Sequence, residues 1–228
     1  MSRWGVPDRE QIRRPPRTTT SYAILGLLSV REWTTYELAK QVQRSLRWFW
    51  PRAERKLYDE PKHLVTDGLA TAHKQFTGQR PRTVYAITPD GREALQRWLD
   101  EPSAAPATEF EALIKVFFAD AGSLEQLTAV LDAIEQTAAE RIRELCGMAE
   151  SAVDGGTFPE RDHISALSIR LPYLQEAAVL AWCGWAREQT ARWAATTDPD
   201  GWDPRAALAE MAADGHRLLD RAAPGSAA

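Results

Sequence analysis

Hydrophobic positions in the first part of the chain recur with the spacing of short helices. Apolar residues three and four apart predict helices over 20–30, from Thr34 onward and over 52–67. The second helix opens with a capping box, because the Thr34 hydroxyl and the Glu37 carboxylate can each bind a free backbone N–H of the first turn. The third contains Pro61, which either kinks it or marks the first turn of its final segment.

After residue 68 the hydrophobic period changes to that of a strand. Segments 69–76 and 82–88 flank a turn with Gly and Pro, and the second segment alternates between two faces, which predicts a β-hairpin with a basic tip. Thr88 and Pro89 then supply a cap and a first-turn proline for a fourth helix. Three helices, a hairpin and a fourth helix follow the order of a winged helix-turn-helix domain.

Beyond this domain every periodic segment is helical. Helices are predicted over 109–121, from the capping box at Ser123 onward, over 162–195 with an interruption at Pro172, and over 204–222. In the second of these, apolar residues recur in nearly the heptad pattern of helices that pair lengthwise. The residues predicted to hold a dimer are Leu124, Leu127, Leu131, Ile134, Leu174 and Trp182.

The predicted fold class is therefore mainly α, with two domains. A winged helix-turn-helix domain spans 18–101, and a linker rich in Pro and Ala spans 102–108. An all-helical dimerisation domain, which could also sense an effector, spans 109–222. Residues 1–17 are predicted to be a flexible basic arm and 223–228 a disordered tail.

The charge of the chain is divided along the same boundary. The 228 residues carry a net charge of −4, which by itself argues weakly against a nucleic-acid partner. Residues 1–100, however, hold 18 Lys and Arg against 11 Asp and Glu, a net +7, whereas 101–228 hold 10 against 21, a net −11. This division indicates a basic domain that meets a polyanion and an acidic domain with another role.

In winged helix-turn-helix domains the third helix enters the major groove of duplex DNA and the hairpin wing contacts the backbone or the minor groove. Cationic and polar side chains in these elements can neutralise phosphates or bind base edges. The predicted DNA contacts are Thr35, Tyr36, Arg52, Arg55, Lys56, Tyr58, Lys62, His63, Lys74, Arg80 and Arg82. The competing interpretation is a solvated charged face, and the order of elements together with the charge division favours DNA.

Other kinds of chemistry find little support in the sequence. The four histidines lack metal-ligand spacing, Cys146 and Cys183 are isolated, and no phosphate-binding glycine loop or catalytic nucleophile motif is present. We therefore expect no metal, no cofactor and no enzymatic activity. The longest apolar run, 177–186, falls short of the ~20 residues that cross a bilayer, so we expect a cytoplasmic protein without a membrane partner.

Three segments resemble the PadR family of transcriptional regulators. They are Ser21–Leu28 with Thr35–Leu38, Leu57–Leu69, and Val84–Arg92, and the resemblance extends over about 20–100. It implies a homodimeric repressor that releases double-stranded DNA on binding a small molecule, and it places Tyr36, Tyr58 and Lys62 toward DNA. Many members have a Tyr-Pro pair where this chain has Tyr58-Asp59, with its proline later, at Pro61.

A dimer of this kind would read a pseudo-palindromic operator whose half-sites lie about one helical turn, or a multiple, apart. Trp182, Trp185 and Trp193 could stack on a planar aromatic effector, although a structural aromatic core explains them as well. The alternative function is a helical protein-interaction or ligand-sensing protein whose winged helix contacts another protein.

Overall fold

The computed structural model describes residues 17–50, 58–77 and 80–222. The chain divides into two compact units, Met1–Pro106 and Ala107–Ala228. Within the described residues the fold is mainly helical with one small antiparallel sheet, which confirms the predicted fold class. The predicted arm, the N-terminal part of the predicted third helix and the C-terminal tail lie largely outside the described residues.

The first unit contains the predicted three helices, hairpin and fourth helix, and in addition a short strand between the first two helices that the sequence did not predict. Its elements are α1 (Thr19–Val30), β1 (Trp33–Thr34), α2 (Thr35–Ser45), α3 (Glu60–Thr66), β2 (Ala70–Thr77), β3 (Arg80–Ile87) and α4 (Pro89–Leu99). The three strands form one antiparallel sheet in the order β1-β3-β2. In its register Trp33 faces Tyr85, Ala70 faces Ile87 and Thr77 faces Arg80.

The core of the first unit brings α1, α2 and α3 together. Ile24 and Leu25 from α1, Leu38 from α2 and Leu64 from α3 have almost no exposed surface. Removing this apolar surface from water is the main stabilising contribution, about 1.5–3 kcal/mol for each fully buried side chain. α4 is fastened to α1 by a stacked pair, Tyr22 on Trp98, with ring centroids 4.9 Å apart.

The start of α4 requires a glycine. Thr88 caps this helix, since its hydroxyl accepts a hydrogen bond from the Gly91 N–H at 3.0 Å and donates to the Gly68 carbonyl at 2.8 Å. A Cβ at Gly91 would lie 2.1 Å from the backbone oxygen of Leu69. Only a residue without a side chain allows the helix to approach the wing this closely.

The second unit contains α5 (Glu111–Phe117), α6 (Leu124–Val153), α7 (Asp162–Thr190) and α8 (Pro204–Ala222). Ser123 caps α6 in the predicted capping box with Gln126. Helices α6 and α7 pack along their length around a buried apolar seam. That seam includes Leu127, Leu131, Ile134, Ala138, Leu145, Cys183 and Ala186. Arg187 of α7 pairs with Asp132 and Glu135 of α6, each at 2.5 Å.

The predicted third helix over 52–67 is not continuous, because residues 58–59 form a turn and its described helical part begins at Glu60. The predicted helix over 162–195 differs from the structure in two respects. Helix α7 is not interrupted at Pro172 but runs through it to Thr190. Proline removes one backbone hydrogen bond, yet Pro172 is buried and the turns on both sides are held along α6, so the helix continues. α7 ends before the predicted Ala195, because Ala195 and Asp198 bond to each other across a tight turn.

Candidate nucleic-acid interface

The first turn of α2 presents Tyr36 to solvent on a rigid base. The Thr34 hydroxyl accepts from the Glu37 N–H at 3.2 Å, and the Glu37 carboxylate accepts from the Thr34 N–H at 2.8 Å, as the capping box predicts. Tyr36 is among the most exposed large side chains, and Thr35 beside it is half-buried. The hydrogen bonds fix the backbone from which Tyr36 projects.

Helix α3 separates its apolar from its polar side chains. Pro61 and Leu64 are buried in the core of the first unit, whereas Lys62 and His63 between them point to solvent. Pro61 occupies the first turn, where its missing N–H needs no partner, which confirms one of the two predicted roles. Tyr58 is exposed just before the helix. α3 therefore presents an exposed cation and an imidazole, and the turn before it presents a phenol.

The strands of the wing carry cations on both faces. Lys74 lies opposite Thr83 and Arg82 opposite Gln75, so Lys74 and Arg82 project to opposite faces of the hairpin. Both side chains are exposed. The imidazole of His73 lies 3.7 Å from the Glu32 carboxylate in the loop before β1. A hairpin with a cation on each face can contact two separate phosphates.

Most of the predicted DNA-contact residues thus lie on the surface of the first unit. Arg52, Arg55 and Lys56 lie outside the described residues, and Arg80 is placed only by its backbone pairing with Thr77. Two further side chains were missed. Phe76 is exposed on the wing and Glu60 is buried at the start of α3. The alternation of β2 could have placed Phe76 on the face of Lys74, whereas a glutamate in a first turn gives no signal of burial.

The pKa of the Glu37 carboxyl departs from its ordinary value. Burial on its own raises the pKa of the Glu37 carboxyl, but hydrogen bonds from Thr34 and the charge of Arg31 lower the pKa more, so the net shift is downward. Arg31 lies 3.3 Å from Glu37 and stacks over the ring of Trp33 at 3.8 Å. The Glu37 carboxylate is therefore occupied by the helix cap at Thr34 and by Arg31.

The three predicted effector tryptophans differ in burial, since Trp182 and Trp193 are partly buried and Trp185 is exposed. Trp182 and Trp193 pack against Leu127 and Leu131 in the core of the second unit. Trp202, which the sequence analysis missed, lies beside them, with its ring 5.4 Å from that of Trp193 and 6.4 Å from that of Trp185. The indole N–H of Trp193 is buried and meets no acceptor in the described part of the chain.

The predicted dimerisation residues fall into two groups. Leu127, Leu131 and Ile134 are buried between α6 and α7 of the same chain, Leu124 and Trp182 are partly buried there, and Leu174 alone of the six is exposed. A second apolar row on α7, missed in part by the sequence analysis, faces solvent. We call it the outer seam of α7; it consists of Ile164, Leu167, Leu171, Leu174, Ala178, Ala181 and Trp185.

The described residues contain neither a cluster suited to a metal ion nor a membrane-spanning helix. Among the described residues, no group of three or more His, Cys, Asp or Glu side chains is arranged to hold a metal ion. Over the same ranges, the helices are too short or too polar to span a bilayer.

In the first unit α3 buries its apolar side in the core, exposes its polar side and is followed by a two-stranded wing. This arrangement defines a winged helix-turn-helix protein. The sequence model of the Transcriptional regulator PadR-like family matches residues 24–97. The model of the Virulence activator alpha C-term family matches 110–191. Residues 24–97 thus match the PadR-like family of transcriptional regulators, as the sequence motifs predicted.

Individual relatives agree with this assignment. The chain is 27% identical to the negative transcriptional regulator PadR of Bacillus subtilis over 131 residues, which are 57% of this chain and 72% of that protein. The fold is similar to that of Bacillus subtilis PadR in complex with operator DNA, with a TM-score of 0.68, 22% identity, and coverage of 75% of this chain and 97% of that one. It is also similar to PadR in complex with p-coumaric acid, with a TM-score of 0.60, 21% identity, and coverage of 75% and 96%.

Proposed function

We propose that this protein is a dimeric, sequence-specific DNA-binding regulator that represses transcription until a small molecule releases it from its operator. The observation that carries the proposal is the exposure of Lys62 and His63 on a helix whose other side is anchored in the core, beside a wing with exposed cations. Similarity to a negative transcriptional regulator and to a protein bound to operator DNA supports the direction of control.

Two further expectations belong to the same proposal. A regulator of this family needs no catalytic chemistry, and we propose that the protein is not an enzyme. Because its ligand is chromosomal DNA, we propose that it acts in the cytoplasm.

Each element would contribute a different part of the interaction with DNA. α3 would enter the major groove, where His63 and Lys62 can bind base edges or phosphates. Lys74 and Arg82 would contact phosphates from the two faces of the wing, and Tyr36 would bind the backbone from α2. Phosphate contacts supply most of the affinity, so binding should weaken steeply with salt.

Fluorescence anisotropy with the duplex upstream of the protein's own gene tests this proposal. Lys62→Ala should weaken binding and reduce the slope of log K against log salt by about 0.9, the value for one neutralised phosphate. Lys115→Ala is a matched control, since Lys115 and Lys62 are 60% and 64% exposed and each pairs with a carboxylate about one turn earlier in the chain. Equal effects of the two changes, or no binding by the wild type at low salt, would overturn the proposed DNA-binding face.

The tryptophan cluster is the proposed effector site. A planar aromatic ligand with an acceptor atom could displace Trp202, stack in its place and accept the hydrogen bond that the buried Trp193 N–H lacks. p-Coumaric acid is the probe suggested by the related structure. It should change the tryptophan fluorescence and release DNA, whereas non-planar cyclohexanecarboxylic acid should do neither. A DNA release that persists in Trp182→Ala and Trp185→Ala would place the effector elsewhere.

The outer seam of α7 is the proposed dimer interface. Its seven residues follow steps of three and four over three heptads, the spacing that lets two helices pack side by side. All seven are exposed in the single chain. The predicted assignment of Leu127, Leu131 and Ile134 is not retained in this proposal, because α7 of the same chain already covers them.

The order of large and small residues in the outer seam favours antiparallel pairing. Its first half holds Ile164, Leu167 and Leu171, and its second half holds Ala178 and Ala181. Two antiparallel copies place Ile164 on Ala181 and Leu167 on Ala178, with Leu171 and Leu174 meeting at the twofold axis. The two layers on each side of the axis, Ile164 on Ala181 and Leu167 on Ala178, then combine a large and a small side chain, whereas parallel pairing would stack alanine on alanine and leave gaps.

Disulfide trapping distinguishes these arrangements. In a Cys146→Ser background, Leu167→Cys protein mixed with Ala178→Cys protein should form linked dimers, and either protein alone should not. Linking by Leu167→Cys alone would indicate parallel pairing. Linking in neither case, in a protein that is dimeric by sedimentation, would place the interface on another surface.

A further inference from the structure

Glu60 is a buried carboxylate at the first residue of α3. It exposes only 8% of its surface, and no other charged side chain described in the structure is buried. Removing a charge from water is costly unless hydrogen bonds or an opposite charge compensate it. The surroundings of Glu60 therefore bear on why a carboxylate is placed inside the domain.

The two oxygens of Glu60 face different neighbours. Oε1 accepts a hydrogen bond from the hydroxyl of Ser21 in α1, and that hydroxyl accepts in turn from the backbone N–H of Thr18 at 3.1 Å. Oε2 lies 3.8 Å from Nδ1 of His63, on the exposed side of α3. Glu60 thus links the start of α1 to a residue of the proposed DNA-binding face.

Apolar packing alone leaves the orientation of α3 weakly defined. The helix has seven residues, and Pro61 and Leu64 are its buried apolar side chains. Apolar contacts have no directional preference, so a short helix held in this way can rotate or tilt at low cost. A hydrogen bond fixes both a distance and an angle. The Ser21–Glu60 bond supplies the directional contact that the apolar anchors lack.

We infer that Glu60 is a positioning residue for operator recognition. It sets the rotation of α3 on α1 through its hydrogen bond with Ser21, and its second oxygen faces the His63 ring. The inference rests on the proposed function, since the operator is the ligand that α3 is positioned to read. Base contacts depend on such positioning because they require side chains at set points in the groove, whereas phosphate contacts tolerate displacement.

The expected signature is a loss of discrimination between DNA sequences. The probes are a duplex selected from a random pool by the wild-type protein and a scrambled duplex of the same composition. Glu60→Ala should weaken binding to the selected duplex roughly 10–100-fold, the equivalent of one or two lost base contacts. Binding to the scrambled duplex should change by less than about threefold, because it depends on phosphates.

Companion variants separate positioning from charge and from stability. Glu93→Ala removes the same charge from an exposed position on α4 and should leave the ratio of the two affinities unchanged. Ser21→Ala should lower the ratio in part, and Ser21→Ala with Glu60→Ala should be no worse than Glu60→Ala, because both act through one contact. Glu60→Gln keeps an acceptor for Ser21 without the charge and should restore much of the discrimination.

Hydrogen exchange of the DNA-free protein gives an independent measurement. Glu60→Ala should speed exchange of the α3 amides, with little change in α4, and Glu93→Ala should not. Wild-type α3 exchange in Glu60→Ala, an unchanged affinity ratio, or equal losses on both duplexes would overturn the inference. If Glu60→Ala does not fold, the same two measurements on Ser21→Ala test the inference. A wild type that selects no duplex would refute the proposed function, while hydrogen exchange still tests the positioning of α3.

Discussion

Leu171→Ala tests the outer seam of α7 with a magnitude that follows from the structure. The change removes three carbons, worth about 0.8 kcal/mol each when they are fully transferred from water. Because Leu171 is 61% exposed in the single chain, that fraction of its surface remains for a partner to cover. The expected loss of dimerisation free energy is therefore about 1.5 kcal/mol per chain. Two copies meet in each dimer, so the total is about 3 kcal/mol, roughly a 100-fold weaker dimer.

Sedimentation equilibrium across a dilution series measures this loss directly. Leu208→Ala on α8 is the matched control, since Leu208 is 60% exposed, chemically identical and absent from the outer seam. Thermal unfolding of the isolated chain should change little in either variant, because neither side chain is buried in the chain itself. Equal dimer constants for the two variants would refute the reasoning, as would a Leu171→Ala protein that unfolds before it dissociates.

Three further predictions concern local chemistry. Thr34→Ala removes the α2 cap and should cost about 1 kcal/mol, measured as a lower Tm. The pKa of Glu37 is lowered in the folded state, so its contribution to stability is present above the unfolded-state pKa and lost as pH falls through the folded value. An acid titration of Tm should therefore be steeper in the wild type than in Glu37→Gln. Burial, assisted by Glu135 and opposed by Arg187, raises the pKa of the Cys183 thiol. Iodoacetamide should therefore modify the exposed Cys146 first, and mass spectrometry of the labelled peptides would measure this order. Equal labelling of the two thiols would contradict this.

Features set by neighbouring residues were predictable from the sequence. Thr34 with Glu37, Ser123 with Gln126, and Thr88 with Pro89 each mark a helix start, because capping depends on groups within one turn. The exposure of Lys62 beside a buried Leu64 follows from helical periodicity in the same way. The order of elements in the winged helix-turn-helix domain is a sum of such local signals.

Features set by distant residues were not predictable. Helix α7 has two apolar rows, and periodicity cannot say which row faces α6 and which faces solvent. The continuation of α7 through Pro172 depends on packing along α6 and not on local propensity. Trp202 lies in an irregular segment that no periodic pattern joins to Trp185. The burial of Glu60 depends on a serine 39 positions earlier in the chain.

The buried seam between α6 and α7 is completed by a single chain, and this bears on how copies would mix in a cell. A chain whose own core is complete can leave one partner and join another without unfolding, so dimers would exchange subunits freely. A copy that lacks Lys62 but keeps Leu171 would then enter dimers with intact copies. Each mixed dimer would have Lys62 in only one subunit and could bind only one half-site of an operator. Such an allele should act dominantly, whereas an allele that disrupts the outer seam should be recessive.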